Sequence, residues 1–248
     1  MPIHAISFDL WDTLIVDDSD EIERAARGLL PKKQARVELF RLAMQADWPE
    51  LGAGQLGEVW AQVSAEFRHQ WKVQHRTPDA AWRVDRALDL LHKPRPAGFE
   101  ALVAGLQEME LDPMPMAVPG IAAALDILAG RYRLGIASDA ILSPGRSLRE
   151  ILRAHGLLQY FSAFAFSDEI GASKPAPPMF AHLSQAFALP LSSMVHIGDR
   201  EENDVAGPLA LGMSAVLFTA VVDRGSAGTR AQAVCISADQ LPSIIATL

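Results

Sequence analysis

Arg133-Leu134-Gly135-Ile136-Ala137, Ala163-Phe164-Ala165-Phe166, Met194-Val195-His196-Ile197 and Ser214-Ala215-Val216-Leu217-Phe218 punctuate one stretch of chain, residues 133–218. Each is short, apolar and free of Pro, as a strand buried on both faces must be. Between them lie segments of helical spacing, at 145–155, 176–187 and 202–211. A helix is also expected over 120–129, before the first of these strands. Strand, helix, strand in this rhythm predicts a parallel sheet covered on both faces by helices. A last strand at 233–236 and a helix at 239–247 extend the pattern.

Working outward, Ile3 to Phe8 is another short apolar run, ending at Asp9. It fits the same sheet as its first strand. Residues from Ser19 to about Leu111 then carry only helical texture. Leu56, Val59, Trp60, Val63, Phe67 and Trp71 fall on one stripe of a helix over 55–74 and are expected to form core. Pro31 fits the start of another helix, with Val37, Phe40 and Met44 following. Thr77-Pro78 reads as N-cap and N1 of a further one. Pro113, Pro115 and Pro119 then stiffen the return. The expected fold is α/β, a Rossmann-like parallel-sheet core with an all-helical cap inserted after the first strand. The division is 1–16 and 117–248 for the core and 17–116 for the cap.

The chain has 248 residues and a net charge of -8. No Lys/Arg-rich run offers a nucleic-acid surface. The longest uncharged apolar tract, Leu211 to Val222, is shorter than the ~20 residues that span a bilayer. The single cysteine, Cys235, allows no internal disulfide and fits a small buried hydrophobe in a reducing compartment. No secretory signal is visible at the N-terminus. A cytoplasmic protein without nucleic-acid or membrane partners is expected.

In an open parallel sheet, ligands bind at the carboxyl ends of strands. Asp9 to Leu14 follow the first strand and Ser138-Asp139 the second. Lys174-Pro175 lies in a later loop, and Gly198-Asp199 with Asp204 follows the fourth. Any one of these is ordinarily a turn residue or a helix cap. Four in this order, along one sheet edge, are harder to explain that way. His4, His155, His182 and His196 show no metal-ligand spacing. Arg200 fits either an approach to the site or a surface ion pair, and Arg146 and Arg149 fit a solvated helix face.

Phe8-Asp9-Leu10-Trp11-Asp12-Thr13-Leu14, Ser138, Lys174-Pro175 and Gly198-Asp199 with Asp204 together resemble the four motifs of the haloacid dehalogenase-like hydrolase superfamily. The resemblance implies Asp9 as nucleophile, with Ser138 and Lys174 as its catalytic partners. It implies substrate binding by Ser138, Asp139 and Lys174. It further implies a Mg²⁺ held by Asp9, Asp199, Asp204 and the backbone carbonyl of Trp11. The substrate it implies is a small phosphorylated molecule. Phosphatases of the family carry a second Asp where this chain has Trp11, and dehalogenases carry an aromatic residue there. Indole neither donates nor accepts a proton in catalysis. Asp12 is the nearest substitute acid/base, although one residue along an extended loop turns its side chain the other way. The readings are thus a Mg²⁺-dependent phosphohydrolase, a metal-independent dehalogenase-like hydrolase attacking carbon, and a non-catalytic binding protein on the same fold.

Overall fold

The computed structural model describes residues 2–248. Six strands form one parallel sheet in the order β3-β2-β1-β4-β5-β6. They are β1 (Ala5–Phe8), β2 (Arg133–Ser138), β3 (Ala163–Phe166), β4 (Met194–Gly198), β5 (Ser214–Phe218) and β6 (Ala233–Cys235). All lie within two residues of the sequence-predicted spans. β1 pairs with β2 on one side and β4 on the other, so Phe8 sits level with Ile136 and Ile197. This alignment brings the residues after β1, β2 and β4 to one edge. The strand order reverses at β1, the crevice in which open α/β sheets bind ligands.

Between β1 and the prolines at 113–119 the chain forms five α-helices: α1 (Asp20–Ala26), α2 (Lys32–Asp47), α3 (Ala53–Gln74), α4 (Ala80–Leu91) and α5 (Phe99–Glu108). They bury their own apolar cluster, built on Phe40, Met44, Leu56, Trp60, Val84 and Leu106. The only residue from beyond β2 in that cluster is Leu142. A separate cluster under the sheet contains Phe8, Ile136, Phe166, Ile197 and Phe218. The two crossings between these bodies run side by side. Val16 N–H donates to Met116 O at 2.8 Å and Val118 N–H to Leu14 O at 2.9 Å.

The rest of the chain supplies α6 (Ile121–Ala129), α7 (Gly145–Ala154), α8 (Ser167–Ile170), α9 (Pro177–Phe187), α10 (Gly207–Ala210) and α11 (Leu241–Ile245). The helix expected over 202–211 is two pieces, a π-helical turn at Glu201–Ala206 followed by α10. The N-cap of α4 is Asp79, not Thr77, because its carboxylate accepts the Trp82 N–H at 2.8 Å. Thr77 instead bonds its hydroxyl to Ser167 Oγ. Cys235 is buried in β6. Among the described residues, no helix is long and apolar enough to cross a membrane.

Candidate active site

Where β1 ends, the chain turns back on itself at once. Leu10 O receives the N–H groups of Leu14 and Ile15, and Asp12 N–H donates to Ile15 O at 2.7 Å. Asp12 takes a left-handed conformation, φ 54°, which Asp tolerates better than most residues. This turn holds Asp9 and Trp11 on the wall of a cleft of about 230 Å³. Ser138 and Asp139 reach the same cleft from the end of β2, Lys174 from the loop before α9, and Arg200 and Asn203 from beyond β4. The helical body closes it with Asp17, Asp18, Lys33, Arg36, Trp71 and Glu110.

At its floor, Lys174 Nζ lies 2.6 Å from both Asp9 Oδ1 and Asp204 Oδ1. Burial opposes the charge on Lys174, but Asp204, Asp9 and Asp139 outweigh it and hold the ammonium well above its usual range. For Asp204, burial also works against the charge. Lys174 and a bond from His196 Nε2 prevail and keep the carboxyl well below the ordinary carboxylate value. Asp9 is shifted the other way: burial and then the Asp204 charge raise it, against the pull of Lys174. Burial lowers His196 towards the neutral form. Its Nδ1 meets Ser7 Oγ at 2.8 Å, so Ser7–His196–Asp204 is a positioning chain beneath the carboxylates. His196 is therefore neither isolated core nor surface.

Asp204 also accepts the Arg200 N–H at 2.9 Å, which anchors the π-helical turn to the end of β4. Gly198 is what permits this approach: a Cβ there would meet Asp204 Cγ at 2.4 Å. Asp9, Asp199 and Asp204 each offer an oxygen within 4.8 Å of the others. Asp199 Oδ1 is buried with no hydrogen-bond partner. Burial, then Asp9 and Asp204, push its carboxyl up to about 6. A crowded, under-satisfied set of carboxylate oxygens fits a hard divalent cation. No backbone hydrogen bond among the described residues uses the Trp11 carbonyl.

Ser138 is fully buried, and its Oγ, like Asp199 Oδ1, lacks a partner. Asp139 is spoken for. Its Oδ1 accepts Lys174 N–H at 2.9 Å, and its Oδ2 accepts Trp71 Nε1–H at 2.8 Å and Asn203 Nδ2–H at 3.4 Å. Asp12 does not line the cleft. Its Oδ1 receives Asp17 N–H at 3.0 Å and its Oδ2 receives Arg224 NH2 at 2.6 Å. The same Arg224 grips Asp199 through Nε.

Arg224, Asn203 and Trp71 are among the site residues that escape a reading by sequence. Arg224 lies in the loop between β5 and β6, 212 positions from Asp12, and nothing local marks it. Asn203 reads as one polar residue among many. Trp71 continues the apolar stripe of α3 by spacing, yet it leaves the core at the helix end and lines the cleft. Val59 is likewise only partly buried. Trp48 and Trp82 pack on the helical core. Arg200 does line the cleft, 3.8 Å from Asp199 Oδ1. Arg149 pairs with Glu169, and Arg146 reaches Glu108 and Gln107 of α5 and its end.

Known proteins resemble this chain in sequence and in fold. The sequence is 33% identical over 85 residues to haloacid dehalogenase-like hydrolase domain-containing protein 3 of Danio rerio, a match over 34% of this chain and 35% of that relative. A haloacid dehalogenase-superfamily phosphatase from Thermococcus onnurineus superposes with a TM-score of 0.66 at 20% identity, covering 98% of both chains. A 2-haloacid dehalogenase from Pseudomonas syringae pv. Tomato DC3000 does so at 0.63 and 21%, covering 99% of both. These two share the fold whatever bond they break. The family of haloacid dehalogenase-like hydrolases matches residues 3–212, a span that includes β1, the helical body and the carboxylate cluster, and the chain belongs to it.

Proposed function

We propose that this hydrolase is a Mg²⁺-dependent phosphohydrolase that releases phosphate from a small phosphorylated metabolite through an aspartyl-phosphate on Asp9. The observation that supports it most is the carboxylate cluster itself. Asp9, Asp199 and Asp204 each bring an oxygen within 4.8 Å of the others, and Asp199 Oδ1 is buried without a hydrogen-bond partner, a set that suits a divalent cation better than a metal-free attack on carbon. Asp9, Asp199, Asp204 and the Trp11 carbonyl would hold the cation, which when bound supplies positive charge against the phosphoryl oxygens.

The chain's own residues do the rest. A carboxylate at ~3.5 Å from a phosphate dianion is repelled by on the order of 9 kcal/mol at an effective dielectric of ~20. Lys174 offsets part of this from below Asp9 and keeps Asp9 Oδ1 in place. Ser138 Oγ, buried and unpaired, offers a hydroxyl to a phosphoryl oxygen. Asp9 attacks phosphorus, the ester P–O bond breaks, and the leaving oxygen takes a proton. Water then attacks the aspartyl-phosphate and frees Asp9. The cleft of about 230 Å³ is below the usual range for ligand pockets, which favours a small organic group beside the phosphate.

A dehalogenase-like reaction at carbon is the second reading, because Trp11 does line the cleft. A panel of phosphate esters, acetyl phosphate and haloacids separates the two, each run with Mg²⁺ and with chelator. Phosphate release that needs the metal supports the proposal. Halide release indifferent to chelator replaces it with the second reading. Ligand binding with no turnover replaces both with a non-catalytic role.

A further inference from the structure

An alkyl phosphate cannot shed its alkoxide readily without a proton, and Trp11 stands where the family's phosphatases keep their acid. The substitute has to be a titratable group on the same cleft. Five carboxylates line it: Asp9, Asp17, Asp18, Asp139 and Glu110. Asp9 is the proposed nucleophile. Asp139 has three donors on its two oxygens. Glu110 accepts Arg36 at 2.8 Å and Ser143 Oγ, with Lys32 beside it. Asp18 is paired with Lys32 Nζ at 3.0 Å. Asp17 accepts only the backbone N–H of Asp18 and makes no ion pair among the described residues.

The turn after β1 explains why a residue so far along the chain belongs to this wall. Trp11 pairs with Ile15, which folds the segment back on itself. Asp12 then receives the Asp17 N–H, and Arg224 holds Asp12 from the far side. Arg224–Asp12–Asp17 is therefore a brace that fixes the Asp17 backbone where the residue lines the same cleft as Trp11. Asp12 acts in it as a positioning residue.

Resting on the phosphohydrolase reading, we propose that Asp17 is the general acid and base of this enzyme. Its carboxyl protonates the leaving alkoxide as the P–O bond breaks. In the second step its carboxylate takes a proton from the water that attacks the aspartyl-phosphate. Phosphate leaves, Asp9 is a carboxylate again and Asp17 an acid again, so the cycle closes on ester plus water.

The surroundings suit this shuttle. Asp17 is solvent-accessible, so protons exchange freely. The wall around it still raises its carboxyl to about 6, by partial desolvation first and then by Asp18. Glu110, from the end of the helical body, and Asp12, from the turn, add to the rise, and Lys32 on α2 opposes it. Lys33 and Arg36 of α2 face the same cleft. A group titrating near the working pH serves both proton transfers.

The test compares the wild type and Asp17→Asn, both with Mg²⁺, on p-nitrophenyl phosphate and on glycerol 3-phosphate as a primary alkyl ester. Pre-steady-state p-nitrophenolate release isolates the first step. Asp17→Asn is expected to lose ~10²–10⁴ in alkyl ester turnover, the usual worth of a placed acid. The p-nitrophenolate burst, whose leaving group needs no proton, is expected to change less than about tenfold. Where bond cleavage limits, wild-type kcat on the alkyl ester should fall as pH rises through about 6, because the acid form is required. That limb should vanish in the variant. In a Trp11→Asp background, which places an acid at the family's usual position, Asp17→Asn should cost little. Equal losses on both esters, or an unchanged pH limb, overturn the role of Asp17 and leave the phosphohydrolase standing. A wild type that releases phosphate from neither ester overturns both.

Discussion

Trp11 and Asp12 exchange the roles that their order in the chain suggests. The tryptophan occupies the reacting cleft, and the aspartate faces away to hold Arg224 and the backbone of Asp17. Extended-strand alternation predicts the same direction for Asp12, but the segment is a tight turn, and it is the left-handed Asp12, φ 54°, that turns the carboxylate to Arg224. Its partner was illegible, because Arg224 arrives from a distant loop. The four motif residues were legible for the opposite reason. Each lies at a strand end or in the loop that follows, and strand ends can be read from local apolar runs. Charge on Asp9 comes at a cost, since burial and then Asp204 raise its carboxyl against the pull of Lys174. Its folded-state pKa lies above the unfolded one. Ionised Asp9 therefore weakens the fold at pH values above the ordinary Asp pKa, and a neutral isostere relieves this. Asp9→Asn is accordingly expected to bring phosphate release below detection while Tm at pH 7 holds or rises. A fall in Tm of several degrees would show that the Lys174 pair contributes more than desolvation takes away.

Among the elements, the junction of β4 with its π-helical turn does most to shape the site. π-Helical turns cluster at functional sites, and this one buries both Asn203 and Asp204 against β4 and the cleft. Periodicity predicts a plain helix over 202–211, because a single widened turn shifts the apolar repeat too little to be read from so few residues. The glycine is more telling. Gly198 ends β4 with no room for a methyl group, its Cβ position falling 2.4 Å from Asp204 Cγ and 2.7 Å from Oδ2. Asp204 is fixed by Lys174, His196 and Arg200 N–H, so it cannot yield without breaking one of them. Gly198→Ala should therefore destabilise the protein by ~1–3 kcal/mol, the usual range for overpacking. Mg²⁺-dependent turnover should fall with it. Urea denaturation measures the first and phosphate release the second. An alanine variant with unchanged midpoint and turnover would mean that Asp204 is loosely held.

Across the whole molecule, the helical body and the sheet body touch where the chemistry is. Trp71 Nε1 donates to Asp139 at 2.8 Å, Arg83 NH2 to Ile141 O at 2.9 Å, and Ser173 N–H to His75 O at 2.8 Å. Glu110 takes Ser143 Oγ from the other side. The connecting segments are paired with each other instead, through Val16–Met116 and Leu14–Val118, with Met116 N–H on Ser19 Oγ at 2.7 Å. A paired double crossing at one end and a ring of polar contacts at the other suit a lid that swings about the crossing. We propose residues 17–116 as that lid. Opening of the ring would admit substrate to the cleft of about 230 Å³, and closing it would exclude water. Trp71→Phe keeps an aromatic ring and deletes the donor to Asp139. A hydrogen bond to a charged group is worth ~1.5–3 kcal/mol, nearer the lower end for a half-buried partner. The closed population should fall, raising KM for a phosphate ester about tenfold while kcat changes little. Hydrogen exchange gives the independent measure. With beryllofluoride and Mg²⁺ as the phosphate mimic, residues 139–143 and the end of α3 should slow in the wild type, and less so in Trp71→Phe. Residues 14–18 and 116–118 should exchange alike in both. If exchange at 139–143 is the same with and without the mimic, the two bodies do not part, and the substrate must enter through the cleft's existing opening.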